Sequence, residues 1–187
     1  MKRKVIIVTD GDRIAKKAIE EAAKNISGRC ISLSAGNPTP LTGKQIIDLI
    51  KCAKHDPVVV MVDDKGNREM GPGEKAMNDI INSPCIDLMG IVAVASNTSK
   101  ANGVEVDCSI NRFGKVVYTG VDKYGNIKYT NTIKGDTVNT LSSIEVPYIV
   151  GIGDPGKMSG NDDIEFGAPI VTKAMEKIIE NYNSWKK

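Results

Sequence analysis

The chain has 187 residues, 41% of them hydrophobic and 26% charged, an ordinary globular balance that excludes wholesale disorder and fits one domain burying roughly 70% of its unfolded surface. Its net charge is only +2, from 25 basic and 23 acidic residues spread along the sequence. That pattern offers no nucleic-acid stripe and no polybasic membrane anchor, and 4% aromatics leave little to stack on bases.

The first apolar run, Lys4-Val-Ile-Ile-Val-Thr-Asp-Gly-Asp12, reads as a buried strand. It ends at Asp10, too short for a signal or a membrane helix, so no membrane insertion is expected. Asp12 suits the cap of a helix through Ile26, where Ile14, Ala15, Ala18, Ile19, Ala22 and Ala23 recur at helical spacing. Gly28 stops it, and Arg29-Cys-Ile-Ser-Leu-Ser34 follows as a second strand. A loop at Gly36-Asn-Pro-Thr-Pro40 leads to a helix starting at Thr42 or Gly43 and carrying Ile46, Ile47, Leu49 and Ile50. The next strand, Pro57-Val-Val-Val-Met-Val-Asp-Asp64, again ends in aspartates. A flexible segment, Lys65 to Gly73, precedes a helix around Glu74 to Asn82 with Pro72 in its first turn. Gly90-Ile-Val-Ala-Val-Ala95 is a further strand, running into Ser96-Asn-Thr-Ser99.

Alternation of this kind predicts an α/β fold: a doubly wound, mostly parallel sheet with helices on both faces. Texture changes in the second half. Short alternating runs around Val106, Cys108 and Ile110, Lys115–Thr119 and Ile127–Thr130, with a turn at Tyr124-Gly-Asn126, predict an antiparallel β excursion over about 100–145 within a single domain, 1–187. Val146-Pro-Tyr-Ile-Val150 returns to a buried strand, followed by Gly151-Ile-Gly-Asp-Pro-Gly-Lys157 and a last helix from about Pro169 to Tyr182. No internal repeat is read. Cys30, Cys52, Cys85 and Cys108 form no Cys-x-x-Cys pair and are expected as free thiols in a reducing interior, Cys30 and Cys52 acting as small hydrophobes.

Ligands of open α/β sheets gather beyond the carboxyl ends of the strands. Asp10, Asp12, Asp63 and Asp64 are therefore expected to surround one crevice. Carboxylates that close repel unless a cation, a basic side chain or a proton intervenes, and a hard cation, Mg²⁺ or Ca²⁺, is the expectation there. Gly151–Lys157 nearly fits a phosphate-cradling loop, but Met158 stands where the hydroxyl belongs and Gly160 and Gly167 delay the helix. Gly153, Gly156, Lys157 and Ser96 are expected at most as an anion neighbour. Asp107, Asp122, Asp136, Asp154, Asp162 and Asp163 widen the acidic surface or serve as turn residues. The one histidine, His55, precedes a strand at the opposite end from the crevice, which leaves Ser-His-Asp or Cys-His catalysis without a base.

Acids after the first strand, an Asp after a later one (Asp63 or Asp64, which leaves the acceptor open), Ser96 and Lys157 resemble the receiver domain of response regulators, in which acids bind Mg²⁺ and one Asp accepts phosphate. Asp10-Gly-Asp12 resembles the Asp-x-Asp motif of Toprim domains, although Thr9-Asp10 replaces the glutamate those enzymes carry after their first strand. Over nearly its full length the chain resembles the soluble form of stage V sporulation protein AE. The resemblance is carried by Val5–Asp12, Arg29–Ser34, Val60–Asp64 with Gly71-Pro-Gly-Glu74, Gly90–Ser96 and Val146–Met158, in that order and spacing. It implies an accessory protein of sporulation and germination in the forespore or spore, soluble or peripheral to the inner membrane. Its partners would be the stage V sporulation A membrane proteins that move calcium dipicolinate. The family supplies no catalytic residues, so a non-enzymatic role leads, with a Mg²⁺-dependent phosphoryl-transfer or phospho-acceptor protein as the alternative. The sequence leaves oligomeric state open, a homo-oligomer included.

Overall fold

In the computed structural model, residues 2–65, 70–96, 103–135, 137, 141 and 145–186 are described. The expected segment after Lys65 lies outside them at 66–69, as do Asn97, Thr98 and Ser99 after Ser96, and Asp136. Nine strands and four helices are defined: β1 (Arg3–Val8), α1 (Arg13–Asn25), β2 (Arg29–Cys30), α2 (Gly43–Cys52), β3 (Val58–Met61), α3 (Pro72–Ile81), β4 (Ile86–Val94), β5 (Val104–Glu105), β6 (Cys108–Ile110), β7 (Val116–Val117), β8 (Thr132–Ile133), β9 (Ile149–Ile152) and α4 (Pro169–Trp185). Seven strands form one mostly parallel sheet in the order β2-β3-β1-β4-β9-β6-β7, and β5 pairs antiparallel with β8 beside it.

Side chains on a strand alternate between faces, and here both faces are buried. Ile6, Val8, Val59, Met61, Val92 and Val150 pack with α1 and α4, whereas Val5, Ile7, Val58, Val60 and Ile91 pack with α2 and α3. The α/β architecture with helices on both faces is therefore as expected. The excursion has a packing role: Val104, Val106, Val121 and Ile133 join the α2/α3 side of the core. Ile133 lies so close to β9 that a Cβ on Gly151 would stand 2.1 Å from its Cδ1.

Several local expectations change. The second strand stops at Cys30, and Ser32–Ser34 turn into a single 3-10 turn. The Ser34 hydroxyl donates to Ile31 O and accepts from Met61 N, so a side chain replaces the ladder bond. Cys52 is exposed rather than core. The excursion is not purely antiparallel, because β6 runs parallel to β9 (Cys108↔Val150, Ile110↔Ile152) and extends the main sheet.

An internal repeat also emerges, contrary to the sequence reading. Residues 109–119 (SINRFGKVVYT) and 120–130 (GVDKYGNIKYT) are tandem hairpins. In each, an Asx side chain accepts from the amides two and four residues on: Asn111 from Phe113 and Lys115, Asp122 from Tyr124 and Asn126. In each, a glycine at positive φ closes the turn, Gly114 at 70° and Gly125 at 73°. The pairing Ile110↔Val116 in the first recurs as Val121↔Ile127 in the second. Identity is confined to Gly, Tyr and Thr, so the similarity shows only when the turns are compared bond by bond.

Candidate functional site

The chain leaves β1 to α1 on one face of the sheet and leaves the adjacent β3 to α3 on the other. Where two neighbouring connections part in this way a crevice opens above the strand ends. Parallel register brings the tips level: Val8 pairs with Met61 and with Val92, and Val94 with Ile152. A crevice of about 180 Å³ results, lined by Thr9, Asp10, Asp12, Asn37, Asp63, Val94, Ser96, Thr137, Asp154 and Lys157.

Asp10, Asp12, Asp63, Ser96 and Lys157 thus meet as expected. Asp12 Oδ1 accepts from the amides of Ile14 and Ala15, which makes it the cap of α1 as well as a wall of the crevice. Asp10 Oδ1 accepts from Asp12 N at 3.2 Å. Asp63 is held from both sides: its amide donates to Thr39 Oγ1 at 2.8 Å, and its Oδ1 accepts from Lys65 N at 3.0 Å.

Asp64, Gly153 and Gly156 are not brought there. Successive residues leave a strand in opposite directions, and Asp64 turns away to cap α3, accepting from Gly73 N at 2.7 Å and Glu74 N at 3.0 Å. Gly153 is buried where a Cβ would meet Gly125 N at 2.6 Å. Gly156 lines a neighbouring surface groove, and its amide donates to Asp154 Oδ1. The Lys157 amide donates to Asp154 O. Two amides of the expected anion neighbour are therefore already satisfied inside the loop, and the long helix that a phosphate loop would lead into begins only at Pro169.

Asp154 is the acid that the sequence reading left among its surface residues. It is buried, it follows β9 as Asp10 follows β1, and its carboxylate is ion-paired with Lys157. Thr9, Asn37 and Thr137 were also missed. Thr9 Oγ1 accepts from Val94 N, locking β1 to β4 below the crevice.

The crevice shows how crowded carboxylates are tolerated. Burial pushes the Asp10 carboxyl up to about 8, and the charge of Asp12, followed by those of Asp63 and Asp154, adds to the rise against the bond from the Asp12 amide. Near neutral pH Asp10 is thus predominantly protonated. Lys157, held above its ordinary value chiefly by its bond to Asp154, supplies a positive charge. A proton and an ammonium relieve the repulsion. Among the described residues no group of three or more His, Cys, Asp or Glu is set to hold a metal ion. His55 lies exposed at the opposite end, its carbonyl bonded by Arg3.

The sequence profile of the family described as Stage V sporulation protein AE1 matches residues 4–182. No curated protein and no solved structure matches the chain. None of the described helices is long and apolar enough to cross a membrane. The match spans β1 to α4 and takes in every crevice residue, so the chain belongs to the Stage V sporulation protein AE1 family and has a sporulation-related role.

Proposed function

We propose that this protein is an accessory of endospore formation and germination. It works beside the stage V sporulation A membrane proteins that move calcium dipicolinate, held at the spore inner membrane by protein contacts. The family match over 4–182 carries this reading, and the absence of a membrane-crossing helix among the described residues is consistent with it. Co-purification of the tagged protein with those membrane components tests the partnership. A strain lacking the protein whose spores fill and germinate normally would overturn the role.

The crevice is the ligand site in this reading, and Mg²⁺ or Ca²⁺ is the first ligand to test. A divalent ion would have to displace the Asp10 proton and draw Asp12 and Asp63 inward. Calorimetric titration against an Asp10→Ala/Asp63→Ala variant should show heat only for the unaltered chain. No heat at about millimolar metal would remove the cation from the reading.

One observation favours a second reading, a Mg²⁺-dependent phospho-acceptor or phosphoryl-transfer protein. Asp10, Asp12, Asp63, Ser96 and Lys157, the set expected of such a protein, share the one crevice. Labelling by acetyl phosphate that disappears in Asp63→Asn would support it, whereas an unlabelled chain in the presence of Mg²⁺ would dismiss it.

A further inference from the structure

The tandem hairpins repeat more than a backbone turn. Each places a cation and an aromatic ring side by side at its tip: Arg112 lies 5.7 Å from the centroid of Phe113, and Lys123 lies 4.7 Å from that of Tyr124. Phe113 is 74% exposed and Tyr124 45%. A second aromatic recurs five residues on, Tyr118 at 76% and Tyr129 fully exposed. Four of the six exposed aromatic side chains among the described residues thus fall within these 22 positions, the other two being Phe166 and Trp185. Charge is local too. Across 109–130 the basic residues are Arg112, Lys115, Lys123 and Lys128, and the only acid, Asp122, is engaged by the amides of its own turn.

The two tips form one unit. Arg112 N donates to Gly125 O, and Arg112 Nη1 reaches Asn126 Oδ1 at 3.4 Å. The Asx bonds hold both turns in shape, so little ordering is needed on binding. A Cβ on Gly114 would meet nothing within 4 Å, and Lys173 of α4, whose side chain reaches this tip, donates to Gly114 O and adds a further cation beside it.

We propose that the paired hairpin tips are a docking surface for an anionic lipid bilayer. The chemistry selects that occupant. Tyr rings favour the headgroup boundary, where an apolar ring body and a polar hydroxyl are both accommodated, and an exposed Phe gains by burying its ring at the edge of the acyl chains. Adjacent Lys and Arg side chains gain from the negative surface potential. The same unit bears on the crevice, because Asp154 N donates to Lys123 O and Arg112 Nη2 reaches Ser159 Oγ. Docking through the tips would therefore bring the loop carrying Asp154 and Lys157 alongside the bilayer. This surface is independent of the sporulation partnership above, and either can fail without the other.

The test is co-sedimentation of the full chain with vesicles of equal parts phosphatidylglycerol and phosphatidylcholine, against phosphatidylcholine alone, at about 0.05 M salt. Lys115 and Lys123, with Arg112 beside them and Lys128 held back by its bond to Thr132 O, should favour the anionic vesicles on the order of 10- to 100-fold, and about 0.5 M salt should abolish most of that preference. Phe113→Ser/Tyr124→Ser and Lys115→Gln/Lys123→Gln should each weaken binding at least about tenfold with unchanged thermal unfolding. Equal partition of the unaltered chain between the two vesicle types overturns the proposal whether or not the variants fold. So does folded variant protein that binds like the unaltered chain. Tighter capture by a single-stranded DNA oligomer than by the anionic vesicles at the same salt would also overturn it, in favour of a nucleic-acid partner.

Discussion

Two groups of aspartates, one buried at helix starts and one half-buried in the crevice, meet the same problem in different ways. Asp64 and Asp162 cap helices from a distance. Asp64 takes the amides of Gly73 and Glu74 at the start of α3, and Asp162 takes those of Ile170 and Val171 at the start of α4. Each of these helices begins with a proline, Pro72 and Pro169. In the crevice, Asp10 and Asp12 each place a single oxygen on backbone amides. Burial raises the Asp162 carboxyl only to about 6, with two amides opposing, whereas Asp10 reaches about 8 with one amide and three acids around it. Helix amides offset part of the cost of burying a carboxylate. The crevice has fewer of them, and a proton and a lysine relieve the repulsion there instead.

The sharpest way to break the contrast is at Gly73, which touches both groups. A Cβ there would stand 2.6 Å from Asp63 O and 2.7 Å from Asp63 N, backbone atoms that cannot swing aside. Gly73→Ala should cost about 3 kcal/mol in urea unfolding and disturb cap and crevice together. Asp64→Ala and Asp162→Ala should each cost about 2 kcal/mol, from lost capping and stranded helix amides. Asp162→Asn should recover much of that loss, since its amide oxygen still accepts.

Much of this arrangement is legible in the sequence, and the illegible parts have physical causes. The capping of α1 by Asp12 follows from local spacing alone, and the structure contains its bonds; for α2 the start left open between Thr42 and Gly43 falls at Gly43, with Thr42 as its cap. The tips of β1, β3 and β4 fall within a residue or so of the ends of their apolar runs, whereas β9 begins at Ile149 and runs on through Gly151 and Ile152, two positions past the expected strand. What fails is choice between neighbours. Asp63 and Asp64 are identical in composition and adjacent, yet the alternation of a strand sends one to the crevice and the other to α3. That period-two signal was available. Asp154 had a usable cue in following an apolar strand, but the glycines and Pro155 around it read as a turn. The parallel pairing of β6 with β9 joins segments of three and four residues some forty positions apart, and no local pattern encodes it.

Within the crevice, Asp10 should show an inverted pH response. Its native carboxyl holds a proton up to about 8, while the unfolded chain releases it near 3.8. Between these values the native state binds the extra proton, so stability falls as pH rises from about 4 to about 8 and levels off above. A salt-bridged carboxylate would do the reverse. Asp10→Asn, which mimics the protonated acid, should flatten that slope and stabilise the metal-free protein by about 1–2 kcal/mol at the alkaline end, read from urea midpoints across the pH range with chelator present.

The smallest expected effect separates the two groups by salt. Lys157 is half-exposed and pairs with the buried Asp154, and its raised value means the pairing is fully present at neutral pH and lost only as pH climbs past the ordinary lysine range. Lys157→Gln should therefore cost about 1 kcal/mol at pH 7 in dilute buffer, less than a buried pair because solvent screens the ammonium. Raising salt to about 1 M should shrink that difference, since screening weakens the ion pair in the unaltered chain. The loss from Asp64→Ala should persist at the same salt, because its partners are buried amides in hydrogen-bond contact with no mobile charge to screen. Equal salt sensitivity in the two variants would mean that both aspartates are held by the protein's overall field, and the distinction between capping acids and crevice acids would collapse.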